Sequence, residues 1–306
     1  MDARDDFFAS LRHPAVRDLA WLLGSAALLQ PLRFPIWDDH DSSRIFDDAK
    51  PLLHALEHDP APLMRHLALR PVKRLGYYVE NLLGFAFAHL PGWRIVAEHW
   101  AIRDGGHTIG ELDFLLQPAN TDGLLHLECA YKLFLQYQPA LGIQGFIGPG
   151  ARDRLHLKLD KLLLQQLPLS QRPEVTRQIE APIAERRAWL KGWLFYPFGR
   201  QPQLPAELSP AHPHGWWQHL GPARTMLRQS GSRWAVLPRL RWIAPARLDP
   251  PATPLDGPQM SNWLEQHYFD KAIPQLLVEL APCEHGWLEI GRGFVVGDNW
   301  PFPTSA

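Results

Sequence analysis

The spacing of apolar positions changes several times along the chain, and each change marks an element. Val16, Leu19, Ala20, Leu22 and Leu23 recur at helical intervals and predict an amphipathic helix over 14–30. A stretch with Pro31, Pro35 and the cluster Asp38–Asp39–His40–Asp41 then reads as a solvated loop. Residues 72–90 predict the next helix, with an apolar face of Leu75, Tyr78, Val79, Leu82, Leu83 and Phe87. Glu80 lies beside that face, and Pro91–Gly92 stops the helix. Residues 93–103 alternate as a strand, and Asp104–Gly105–Gly106 turns the chain. Residues 109–135 hold two further strand-like runs around a turn of Pro118, Asn120, Asp122 and Gly123. A glycine-rich stretch from Gly142 to Gly150 lacks the spacing of a nucleotide-binding loop. An amphipathic helix over 151–167, ended by Pro168, and a fourth strand over 188–196 follow.

That order, helix–strand–strand–strand–helix–strand, predicts an α/β protein whose mixed sheet is covered by helices. Three segments are expected: an N-terminal helical segment over 1–60, a core over 61–200, and an α+β extension over 201–306 packed on the core. The extension is rich in proline and holds seven of the 13 tryptophans. It reads as short strands with one helix, Ser261–Leu280, and its aromatic residues as core packing.

Composition narrows the picture. The chain has 306 residues, 46% hydrophobic and 21% charged, with a net charge of −1. No global positive field exists to gather nucleic acid, so any polyanion site must be a local patch. The two cysteines, Cys129 and Cys283, form neither a disulfide framework nor a CxxC zinc motif, and Cys129 reads as a small buried apolar residue. His212, His214 and His219 match no standard zinc spacing. The N-terminus has no signal-peptide pattern, and Leu19–Leu29 is too short to span a bilayer, so a cytoplasmic protein without a membrane role is expected.

The candidate chemistry lies in residues 109–135. Glu111 and Asp113 interrupt the first apolar run, Glu128 the second, and Lys132 follows on the face of Glu128. A carboxylate in a buried strand is costly unless it is paired or binds something. Two of them converging across a hairpin, Asp113 and Glu128, suit a hard divalent cation. Residues 145–200 hold 10 basic against 5 acidic residues, while residues 1–60 hold 6 against 11. Arg152, Arg154, Lys158 and Lys161 are therefore the candidate contacts to a phosphodiester backbone.

The pieces LGYYVE, GELDFLL, HLECAYKLFL and GPGARDRLHLKL resemble the core of the PD-(D/E)XK nuclease-like superfamily over roughly residues 72–197. More narrowly, they resemble a bacterial family of uncharacterised proteins assigned to it. The resemblance implies an αβββαβ restriction-endonuclease-like core and metal-dependent hydrolysis of phosphodiester bonds in DNA or RNA. It implies Asp113 and Glu128 as ligands of Mg²⁺ (or Mn²⁺), Glu80 as the acid of the first helix, and a catalytic lysine. The pattern places that lysine two residues after the second acid, where this chain has Ala130; Lys132 lies four residues on, about 13 Å along a strand. Lys158 or Lys161 from the following helix could supply the charge instead. Besides a nuclease, the sequence admits a catalytically silent nucleic-acid-binding module on the same fold, or a protein-interaction scaffold.

Overall fold

The structure is a computed structural model that describes residues 3–31, 34–270 and 273–301. It is an α/β protein with a large mixed sheet and about ten helices. The chain forms two compact units. The first comprises Met1–Lys132, His156–Gly192 and Ala206–His212; the second comprises Leu133–Leu155, Trp193–Pro205 and Pro213–Ala306.

The first unit opens with helices α1 (Ala3–Ser10), α2 (Pro14–Gly24), α3 (Asp39–His58), α4 (Ala61–Leu69) and α5 (Leu75–His89). The aspartate cluster expected as a loop is instead the start of α3. Asp38 caps it and exchanges side-chain-to-backbone hydrogen bonds with Asp41, a reciprocal capping box. The acids also suit the positive end of the helix dipole. Strands β1 (Trp93–Asp104), β2 (His107–Pro118) and β3 (Leu124–Gln136) follow as an antiparallel meander.

After the short strand β4 (Phe146–Ile147), the predicted helix begins only at Leu155. It runs as α6 (Leu155–Lys161), a π turn (Leu162–Gln166) and α7 (Leu167–Leu169), so Pro168 lies inside the last turn instead of ending the helix. Arg152 and Arg154 precede α6 and belong to the second unit. The short helix α8 (Pro173–Thr176) leads to β5 (Ile183–Pro197). Ile102, Leu112, Leu169 and Val175 form one buried cluster of the first unit. Around Trp189, Trp37 stacks at 5.5 Å and Phe87 packs edge-on at 6.0 Å.

In the second unit, β6 (His214–His219) pairs in parallel with β5 and with β11 (Gly286–Val296). Between them in sequence lie α9 (Leu220–Gln229), β7 (Arg233–Val236), β8 (Arg247–Leu248), β9 (Leu255–Asp256), α10 (Gly257–Asp270) and β10 (Gln275–Cys283). Of the helix expected over Ser261–Leu280, α10 covers the part up to Asp270, and residues 271–272 lie outside the described residues. Leu276, Leu277 and Val278 are instead buried in β10, which pairs with β7 and β11. Ala223, Leu227, Trp234, Met260, Leu264, Leu277 and Val295 build this unit's core under α9 and α10. Among the described residues, no helix is long and apolar enough to cross a membrane.

Candidate metal and catalytic centre

The first unit places a row of polar side chains across β1, β2 and β3. The β1–β2 register pairs Glu98 with Phe114 and Trp100 with Leu112, which sets His99 opposite Asp113. The β2–β3 register runs from Leu116–Leu125 through Leu115–His126 to Phe114–Leu127. One step further, the side chains take over from the backbone ladder. The Asp113 amide points to Glu128 Oε1 at 3.4 Å, and the Cys129 amide donates to Asp113 Oδ2 at 2.7 Å. Each acid thus sits on the backbone of the opposite strand, where β2 and β3 part.

Two glycines bring helices close to this row. A Cβ at Gly84 of α5 would meet Glu98 Oε2 at 3.1 Å, and one at Gly110 of β2 would meet Leu169 of α7 at 2.6 Å. Glu80 lies one turn before Gly84, on the same helix face, and so reaches the row from above. Its Oε2 is 3.8 Å from His99 Nδ1, and Glu111 Oε1 is 3.5 Å from the same nitrogen. His99 adopts φ 49°, a left-handed conformation rare for a side-chain-bearing residue.

Glu128 is fully buried and both of its oxygens are occupied. Oε1 lies 2.8 Å from His126 Nε2, and Oε2 accepts from Gln166 Nε2 at 2.6 Å. His126 Nδ1 lies 2.9 Å from Ser170 Oγ, whose hydroxyl donates to Leu167 O at 3.3 Å. The His126–Glu128 contact requires one proton between ring and carboxyl. Gln166 Oε1 accepts from Lys158 Nζ at 3.1 Å.

The charge balance is uneven. Burial, with the charge of Asp113, raises Glu80 to about 7. Burial, with the charge of Glu128, raises Asp113 to about 7. Burial alone outweighs the hydrogen bonds to Glu128 and lifts it to about 7. Desolvation holds His126 down, at about 4. The ammonium of Lys158 opposes the rise of all three carboxyls and is itself pushed below its ordinary value, chiefly by burial and then by Lys132. Lys158 is half-buried, whereas Lys161, Arg152 and Arg154 are exposed.

The family model for a domain of unknown function, DUF1853, matches residues 17–296. The chain belongs to the DUF1853 family. No curated protein and no solved structure matches it.

Among the candidate residues read from the sequence, Asp113, Glu128 and Glu80 come together, and Lys158 joins them from α6. Lys132 bears on Lys158 through its charge. Sequence reasoning did not single out His126, Gln166 or His99. Of these, only His126 left a trace: His-x-Glu within one strand puts both side chains on the same face. Among the described residues, no group of three or more His, Cys, Asp or Glu side chains is arranged to hold a metal ion. The oxygen donors that converge are those of two carboxylates, a chemistry that fits a hard divalent cation completed by water.

Proposed function

We propose that the protein is a Mg²⁺-dependent nuclease-like hydrolase with an αβββαβ restriction-endonuclease-like core, acting on phosphodiester bonds of DNA or RNA. The observation that carries this reading is the facing of Asp113 and Glu128 where β2 and β3 part, with a lysine turned toward them. These two carboxylates would hold the ion, Mg²⁺ or Mn²⁺, which when bound neutralises phosphate charge and lowers the pKa of water. Glu80 adds negative charge above Asp113. Lys158 is the ammonium whose charge bears on all three acids, and it is the group that stabilises charge developing on the phosphate. Lys161, exposed on α6, contacts the nucleic-acid backbone.

The test is cleavage of single- and double-stranded DNA and RNA by the purified protein with Mg²⁺ or Mn²⁺. Asp113→Asn and Glu128→Gln are each expected to abolish cleavage while leaving the circular dichroism spectrum unchanged. Cleavage that survives both substitutions overturns the assignment. One observation favours a second reading, a catalytically silent nucleic-acid-binding module: the oxygens of Glu128 are already taken by His126 and Gln166. Salt-sensitive nucleic-acid binding with no metal-dependent cleavage would select it.

A further inference from the structure

We infer that Gln166 is a positioning residue that keeps Lys158 from collapsing onto the acids. The inference rests on the metal-site reading above. The two side chains of opposite charge do not meet directly; a neutral carboxamide stands between them. Lys158 Nζ donates to Gln166 Oε1 at 3.1 Å, and Gln166 Nε2 donates to Glu128 Oε2 at 2.6 Å. The neighbours dictate this orientation, because an ammonium only donates and a carboxylate only accepts. One of the three ammonium protons is thereby used, leaving the others for a substrate anion.

The backbone is built for this arrangement. In an α-helix, residues about seven apart stack on one face, and a residue eight apart lies about 80° further round. Lys158 and Gln166 are eight apart, and the π turn Leu162–Gln166 intervenes between α6 and Gln166. A π turn accommodates one extra residue, which returns Gln166 to the face of Lys158. Leu159, Leu162 and Leu167, within and on either side of this turn, are buried.

Without the carboxamide, the flexible lysine finds its strongest acceptors in Glu128 and Asp113, whose charges it already senses. A direct ion pair would consume the negative charge that a cation needs. Gln166 therefore takes one oxygen of Glu128 and, in exchange, keeps the ammonium of Lys158 off both carboxylates, so that their charge is not consumed by an ion pair.

The experiment is Mn²⁺ titration calorimetry on the full chain, comparing wild type, Asp113→Asn, Gln166→Met, Lys158→Met and the Lys158→Met/Gln166→Met double variant. Crystal structures of wild type and Gln166→Met accompany it, with Gln166→Ala as the substitute if the methionine variant fails to fold. Gln166→Met is expected to weaken Mn²⁺ binding at least tenfold, and removal of Lys158 in the double variant to restore wild-type affinity. A residue that only filled space would not be rescued by deleting its neighbour. Unchanged affinity in Gln166→Met, or no rescue in the double variant, overturns the inference. If wild type binds no Mn²⁺, or Asp113→Asn binds it equally well, the metal-site reading fails, and the crystal structures alone decide. Lys158 Nζ within 4 Å of Glu128 or Asp113 in Gln166→Met supports the positioning role, and an unmoved Lys158 refutes it.

Discussion

Two buried charge clusters, one in each unit, are built on opposite principles. In the second unit, Arg292 and Glu289 match one charge to one charge. The guanidinium donates to Glu289 Oε1 at 2.5 Å and Oε2 at 2.8 Å, to Trp242 O at 3.1 Å and to Ala244 O at 2.8 Å, and lies 4.0 Å over the Trp193 ring. Glu289 also accepts from the Ala246 amide at 2.5 Å. In the first unit, Glu80, Asp113 and Glu128 crowd together beside the ammonium of Lys158, and all three carboxyls are driven up to about 7. A saturated pair contributes to holding a fold. An excess of buried like charge works against it, which marks the cluster as a candidate binding site.

The largest effect should come from breaking the matched pair. Arg292→Met strands the Glu289 carboxylate at 4% exposure. Loss of one partner of a buried pair costs about 3–5 kcal/mol. Urea denaturation at pH 7 should show that loss; a change below about 1 kcal/mol would mean that the pair is dispensable and the contrast is false.

The next effect is pH dependence, with opposite signs inside the acidic cluster. The three carboxyls titrate near 7 folded but near 4 unfolded, so between those values the native state binds more protons. Their contribution to stability is therefore present at low pH and declines as pH rises toward 7 and beyond. His126 acts the other way: its folded value of about 4 lies below 6.5, so its contribution is lost as pH falls through that window. Subtracting the stability curve of a Glu80→Gln/Asp113→Asn/Glu128→Gln variant from that of wild type isolates the carboxyls. The difference should favour wild type at pH 5 and the variant at pH 8. A flat difference would show that the carboxyls are not held in competition.

Asp113→Asn alone should raise stability at pH 8 by about 1 kcal/mol, because it removes one of the facing charges while its amide oxygen still accepts from Cys129. The same variant should lose Mn²⁺ binding. Destabilisation on the scale of Arg292→Met would place Asp113 with the structural charges instead.

The contrast also explains what the sequence could carry. The apolar runs of α5 and β1–β3 were legible as elements, although β3 is buried on both faces. Acids within apolar runs marked Asp113 and Glu128 because charge is rare there. Gln166 was hidden because its placement depends on a π turn that no local pattern announces. The Arg292–Glu289 pair was hidden too. The register slips between Glu279 and Leu280, where Ile290 forms a bulge, and this brings residues three apart to one side of a strand. The helix expected to reach Leu280 failed because the apolar residues of β10 serve either period, and pairing with β7 and β11 decides between them.

The smallest effect sets the baseline. Lys50 and Asp47 form an i,i+3 pair on α3 at 2.6 Å, with side chains 42% and 64% exposed. Water already solvates both groups, and such pairs contribute about 0–1 kcal/mol. Asp47→Ala should therefore shift the urea midpoint by no more than the equivalent of about 0.5 kcal/mol, and added salt should leave the shift nearly unchanged. A loss approaching that of Arg292→Met would mean that proximity alone, not burial with matched partners, governs how charge stabilises this chain. The excess negative charge around Asp113 would then need no ligand to account for it.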